Sequence, residues 1–308
     1  MAVLCFDQVT FTIMKSLGGE EIYPISIDHF LASNPDYAAV QSNRSKVEFY
    51  FTATPVLIRR SFDLFPLANH VTYLDSDLFF FGPPSQVFAE QGSADVSIVP
   101  HHFPDRLSHL AECGTYNVGW VSFRRTSSGI GCVEWWMESC LEWCYDYVQG
   151  NRYADQGYLD QFPSRFREVF AHTHRGVNLA PWNVERTQLW SENDKLKVAG
   201  EPLLFFHFQG IRELIPGWFE LGLRNYGVPL TPGVRDLVYL PYLRCLVRHQ
   251  QQLARQFGVY PQLGYQRLSS NRGSLLRRAR QNFMKRVLPH YRRWSGQLVF
   301  CTPSSESS

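Results

Sequence analysis

The sequence predicts an α/β fold in which helices flank a mixed sheet. Three observations carry that reading. Short apolar runs rich in β-formers alternate along the chain with helix-like segments. Two of those runs stop at ligand-type side chains, Asp75 and His207, as strands do at the binding edge of an open α/β sheet. The chain has 308 residues, 44% hydrophobic and 15% aromatic, enough for one large core with an appendage.

Taken in order, Ala2 to Phe6 reads as a strand closed by Asp7. Phe11 to Leu17 is helix-like and Gly18-Gly19 stops it. Glu21 to Ile27 fits a short strand. Pro35 to Tyr37 opens a helix expected to take in Arg44 to Glu48, and Thr54-Pro55 starts another, since proline suits a first turn. Val71 to Leu74 is a buried strand by its β-branched and aromatic content. A short helix at Val87 to Glu90 and strands at Asp95 to Val99 and Tyr116 to Phe123 follow. Ile130 to Val148 reads as an aromatic-rich helix and Ala154 to Gln161 as a short one. Pro202 to Phe208 is the last apolar strand. Asp236 to Gly258 and Ser274 to Leu288 look helical, the first interrupted by Pro241. No run of eighteen apolar residues occurs, so no membrane-spanning helix is expected. Seven cysteines without a C-x-x-C pair suggest reduced, mostly buried thiols in a cytosolic protein.

The chemistry concentrates in His70-Val-Thr-Tyr-Leu-Asp-Ser-Asp-Leu-Phe-Phe-Phe-Gly82. Asp75 and Asp77 flank Ser76 just beyond the strand. Two carboxylates this close repel each other unless a cation sits between them, and oxygen ligands suit Mg²⁺ or Mn²⁺ carrying substrate phosphates. Two surface acids in a loop would look the same from spacing alone. His207 ends the other strand, before Gly210, where a backbone can approach a ligand, and Arg212, a phosphate donor. A core histidine is the plainer reading of such a residue. Tyr116-Asn-Val-Gly-Trp120 offers Asn117 as a hydrogen-bonding side chain and Gly119 as a close-approach point, or simply a turn into a strand. Asp155 and Gln156 could orient a polar substrate, or Asp155 could cap a helix.

Charge is divided along the chain. Leu237 to Ser305 contains no Asp or Glu and twelve Arg and Lys, whereas the remainder holds 18 bases against 28 acids. An acidic body with a basic tail suggests that the body does chemistry and the tail meets an anionic surface. Aromatics interleaved through that tail favour a membrane face over a disordered segment. The lack of any binding motif argues against nucleic acid.

The order Tyr73-Leu-Asp-Ser-Asp77, Tyr116-Asn-Val-Gly119, Asp155-Gln156, His207-Phe-Gln-Gly210 resembles glycosyltransferases of the GT-A (Rossmann-like) fold. It is most similar to glycogenin-like and lipopolysaccharide-galactosyltransferase-like retaining enzymes and to related bacterial nucleotide-sugar transferases. The resemblance runs from about Val3 to about Arg224. It implies a transferase domain over residues 1–230 and a basic helical extension over 231–308. It implies that Asp75, Asp77 and His207 bind a divalent metal, Mn or Mg, which holds the diphosphate of a nucleotide-sugar donor. Asn117, Gly119, Asp155 and Gln156 would line the sugar and acceptor pocket, with Asn117, Asp155 and Gln156 closest to the chemistry. Leu74, Ser76, Gly119, Gly210, Arg212 and Arg44 would lie along the donor. His101, His102, Trp120 and Trp182 are acceptor-side candidates, and the acceptor would be a glycan or lipid-linked sugar. Two departures stand out. The family opens with a strand and helix ahead of the segment that matches Val3 to Asp7, so the chain is expected to lack that first unit. The family's lysine after His-x-x-Gly has only Arg212 near its place here. Two other functions compete. A phosphatase using Asp75 and Asp77 would need a β-branched residue where Leu78 stands, and a catalytically impaired member would serve binding or assembly.

Overall fold

The computed structural model describes residues 1–186, 188–192, 195–261 and 297–301. Their contacts sort into two compact units, Met1–Ser76 with Ser85–Thr173, and Asp77–Pro84 with His174–Ser308.

The first unit begins with β1 (Ala2–Cys5), α1 (Gln8–Leu17), β2 (Tyr23–Ser26), α2 (Ile27–Ser33) and α3 (Pro35–Ala39). Asp7 caps α1 by accepting the Thr10 amide at 2.8 Å. β1 and β2 pair in parallel. The helix expected to run on through Arg44 is broken there, because Arg44 is extended. The next helix, α4 (Lys46–Leu64), starts eight residues before the expected Thr54. Its start is fixed by a capping box: the Ser45 hydroxyl accepts the Glu48 amide while the Glu48 carboxylate accepts the Ser45 amide. Pro55 sits buried inside the helix rather than at its start. Tyr37 stacks on Phe49 of α4, centroids 4.4 Å apart, and its hydroxyl donates to the Phe49 carbonyl at 2.9 Å. β3 (His70–Leu74) follows, and then β4 (Leu78–Phe80), which belongs to the second unit.

The rest of the first unit is α5 (Ser85–Gln91), β5 (Val96–Pro100), β6 (Tyr116–Arg124), α6 (Ser127–Glu142), α7 (Phe162–Arg165) and β7 (Val169–Ala171). A four-stranded sheet has the order β3-β6-β5-β7. β6 is antiparallel to both neighbours and β7 is parallel to β5, so the sheet is mixed. Val96, Ile98, Val121 and Phe123 of the sheet share a core with Ile58 and Phe62 of α4 and Cys132, Val133 and Trp136 of α6. α6 is shorter than Ile130 to Val148. It ends at Glu142, so Trp143, Cys144 and Tyr145 lie beyond it. The expected helix at Ala154 to Gln161 is a 3-10 turn over Gln156–Gln161.

The second unit is built on β4 with β8 (Leu189–Glu192), β9 (Lys195–Val198), β10 (Glu201–Pro202), β11 (Phe205–His207), β12 (Arg212–Ile215), β13 (Trp218–Glu220), α8 (Leu240–Phe257) and β14 (Leu298–Phe300). The apolar run from Pro202 to Phe208 is two strands rather than one. Pro202 pairs with β9, and Phe205 to His207 pairs antiparallel with β4, His207 opposite Leu78. A π-helical turn, Val234–Tyr239, leads into α8, and Pro241 occupies its first turn, where its missing amide costs nothing. Tyr242 of α8 stacks on Phe208, centroids 3.9 Å apart. Val234, Val238, Leu243 and Val247 join Phe206 and Phe208 in one core. The expected helix Ser274 to Leu288 lies outside the described residues. All seven cysteines are free thiols, five of them buried.

Candidate functional site

β3 delivers Asp75. Residues i and i+2 of a strand share a face, so Tyr73 stands beside Asp75 and donates its hydroxyl to Oδ1 at 2.8 Å. The Asp75 amide donates to the Gly119 carbonyl at 3.1 Å. Gly119 lies in an irregularity of β6, where the pairing with β5 jumps from Ile98–Val121 to Val99–Asn117. Asn117 stabilises this bulge by accepting the Gly119 amide on Oδ1 at 3.0 Å. The bulge also aims the side-chain amide of Asn117. Its Nδ2 reaches Gln156 Oε1 at 3.2 Å and His101 Nε2 at 3.3 Å. Gln156 Nε2 donates to the Cys113 carbonyl at 3.0 Å, which fixes which end of that amide is oxygen. His101 Nδ1 lies 3.2 Å from the Thr115 carbonyl and so carries the proton, leaving Nε2 to accept from Asn117.

Asp155 is buried, with 4% of its surface exposed. Burial, and then the negative charge of Asp75, pushes its pKa up to about 7 against the pull of a Thr54 hydrogen bond. Asp155 makes no side-chain cap of the following turn.

In the second unit Asp77 immediately precedes β4, and β4 pairs with β11, so His207 comes alongside it. His207 Nε2 lies 3.1 Å from Asp77 Oδ1. The Phe208 amide donates to the Asp77 carbonyl at 2.9 Å and ties the two chain segments together. Burial alone would raise the pKa of Asp77, but the hydrogen bond and charge of His207 outweigh it and hold the carboxyl below its ordinary value. Trp182 packs edge-on against the His207 ring at 5.4 Å. Gly210 has φ +80° and lies back to back with Gly222 at φ +77°, where an added Cβ would come within 2.4 Å of the Gln209 carbonyl oxygen.

Only Ser76 separates Asp75 from Asp77, so the chain itself brings the second carboxylate to the first. One ligand atom each from Asp75, Asp77 and His207 lies within 4.8 Å of the others. Ligand atoms about 2.1 Å from an octahedral ion sit about 3 to 4.2 Å apart. Two carboxylates with one imidazole, and open positions left for a substrate, is a donor set that suits Mn²⁺ or Mg²⁺.

No family model matches the chain. The "Uncharacterized protein YfnF" of Bacillus subtilis (strain 168) is 30% identical over 266 residues, 84% of this chain and 86% of YfnF. The chain belongs to the YfnF family. A second relative in the same organism, "Uncharacterized protein YfnD", is 26% identical over 258 residues, covering 83% of this chain and 82% of YfnD.

The other predicted positions in this YfnF-family chain fall in varied places. Leu74 and Ser76 are exposed at the end of β3 and in the turn between the aspartates. Arg212 is exposed at the start of β12. Arg44 is held at the carboxyl end of α6, donating to the Leu141 and Glu142 carbonyls at 3.3 and 3.4 Å and stacking over Tyr145 at 4.1 Å. Its visible work is to close a helix. Trp120 is a core residue, 1% exposed. Sequence reading passed over Tyr73, although its place two residues before Asp75 in a strand was the signal. It also passed over Thr54, whose contact with Asp155 no local pattern announces.

Proposed function

We propose that this protein is a metal-dependent glycosyltransferase of GT-A type, moving a sugar from a nucleotide diphosphate sugar to a glycan or lipid-linked acceptor with retention, in the cytosol. The observation that supports it is the convergence of Asp75, Asp77 and His207 at the ends of two strands. These three would hold the divalent ion, whose charge would neutralise the departing diphosphate. Arg212, exposed just beyond the Gly210 turn, would add a hydrogen-bond donor for that anion. Asn117 and Gln156 would position the sugar. Gln156 Oε1 accepts one hydrogen bond from Asn117 and keeps a second lone pair to face positive charge at the sugar carbon. Asp155, neutral below about pH 7, would keep a second negative charge away from Asp75 until a cation arrives. Tyr73 would hold Asp75 in place through its hydroxyl.

The test is a panel of nucleotide sugars with Mn²⁺, scored by release of nucleoside diphosphate, alongside titration of Mn²⁺ into parent and Asp77→Asn protein. We expect release with one donor class, abolished by a chelator. Asp77→Asn should lower metal affinity at least ~10-fold with little change in melting temperature. Cleavage of simple phosphate esters would point to a phosphatase instead. Donor binding without turnover would point to an assembly role, and full activity in Asp77→Asn would remove the metal centre.

A further inference from the structure

We propose that His101 is a positioning residue: it sets the direction of the Asn117 and Gln156 side-chain amides, so that Gln156 presents oxygen and not nitrogen at the candidate site. Its role in turnover rests on the transferase reading, whereas the geometry stands on the protein by itself. His101 is 5% exposed and Asn117 6%. Both ends of the network are backbone carbonyls, which can only accept. At one end the Thr115 carbonyl takes the His101 amide at 3.0 Å and faces its Nδ1 at 3.2 Å. At the other the Cys113 carbonyl takes Gln156 Nε2 at 3.0 Å. A run of donors and acceptors between two acceptors has to reverse once, and Asn117 is where it does. Its Nδ2 has two hydrogens, one for His101 Nε2 at 3.3 Å and one for Gln156 Oε1 at 3.2 Å, while its Oδ1 accepts the Gly119 amide.

The pattern closes with only one form of the ring. The neutral imidazole with its proton on Nδ1 satisfies both neighbours. The other tautomer, or the imidazolium, turns an Nε2–H on the Asn117 amino group. Rotating that amide by a half-turn does not rescue the network, because Oδ1 would then face Gln156 Oε1 and Nδ2 would face the Gly119 N–H. The supports are rigid. The Asp160 carboxylate accepts the Thr115 amide at 2.9 Å and the Tyr116 amide at 3.3 Å, which holds the peptide whose carbonyl meets His101. The Phe103 ring stacks on the imidazole, centroids 4.5 Å apart and planes 9° from parallel. His102 at φ +52° and Ala154 at φ +46° take the left-handed backbone that side chains avoid, one directly after His101 and the other two residues before Gln156. Such strain persists where the surroundings over-determine a loop. A histidine kept only to close the loop between His101 and Thr115 is the competing role, and Nδ1 alone serves it. A histidine that aims Gln156 needs Nε2 as well, so the two roles part at that atom.

Two substitutions divide the ring between them. Glutamine puts an acceptor where Nε2 stands and loses the Nδ1 donor, and asparagine does the reverse. The first experiment uses the full chain with no donor and no metal added, so its outcome is independent of the transferase reading. Nitrogen-15 NMR of the parent, which needs no variant, should find the His101 proton on Nδ1 and the Gln156 side-chain amide protected from exchange. His101→Gln should retain that protection, and His101→Asn should lose about 10-fold of it. The second experiment measures nucleoside diphosphate release with Mn²⁺ and the donor that the parent turns over. His101→Asn should lose roughly 100-fold in kcat with little change in KM, and His101→Gln should recover most of it, while both melt as the parent does. A proton on Nε2, protection and kcat preserved by asparagine rather than glutamine, or parent-like values in both variants would each overturn the proposal. A parent without turnover would sink the transferase reading and leave the NMR spectra to decide this one.

Discussion

Asp155 shows how far one side chain can be governed by its surroundings. An unfolded aspartate titrates near 3.8, whereas burial and the charge of Asp75 bring the folded carboxyl to about 7. Between those values the folded chain keeps a proton that the unfolded chain has lost, so this residue's contribution to stability falls as pH rises from about 4 to about 7 and is flat beyond. Asp155→Asn keeps the neutral shape and cannot ionise. Urea melts of metal-free protein at pH 4 and pH 8 should therefore show parent stability dropping relative to the variant by roughly 2–4 kcal/mol, and a constant difference would contradict it. The sequence did not show the burial of Asp155, because Thr54 and Trp136 reach it from elements 101 and 19 residues earlier. Asp75, Asp77 and His207 were legible because each ends or follows an apolar strand, a local pattern. The contacts of Arg44 were hidden for the opposite reason. Its carbonyl partners, Leu141 and Glu142, are 97 and 98 residues away.

At the scale of elements, strands whose content was β-branched and aromatic were found within a residue or two, β3, β5 and β6 among them. The errors came where two local signals competed. Pro55 advertised a helix start, while Ser45-x-x-Glu48, which satisfies two orphan amides at once, was the stronger one. The run from Pro202 to Phe208 looked continuous because apolar content does not record a change of partner from β9 to β4. The turn after β11 rests on glycine geometry that can be tested. Gly222→Ala meets both a positive φ and an oxygen 2.4 Å from the new Cβ. It should destabilise the fold by about 2–4 kcal/mol. Gly258→Ala, also at positive φ but with nothing within 4 Å, should cost only about 1 kcal/mol. Equal losses in calorimetry would mean that close approach is irrelevant at Gly222.

At the scale of the molecule, composition foresaw an α/β protein and an uneven charge, but not how deeply the basic end enters the core. The stretch from Asp236 to Gly258 was read only as a helix interrupted by Pro241, part of a tail meeting an anionic surface. In the structure its apolar side meets Phe206 and Phe208, the strand residues around His207. A chain cut after Arg235 would expose those rings. It should aggregate or lose its cooperative melt in calorimetry. A well-folded shortened chain would show that α8 is dispensable. No helix among the described residues is long and apolar enough to cross a membrane.

The pairing of β4 with β11 also has a consequence for synthesis. Phe80 faces Phe205, 125 residues later. At 5–20 residues per second a ribosome needs about 6 to 25 seconds to cover that distance. Throughout that interval Leu78-Phe79-Phe80-Phe81 has no strand to pair with. Four consecutive apolar residues of high β-propensity are a sticky segment in a nascent chain. Charge beside such a run opposes association of exposed chains, and Asp75 and Asp77 place two carboxylates there, 130 residues before His207 is made.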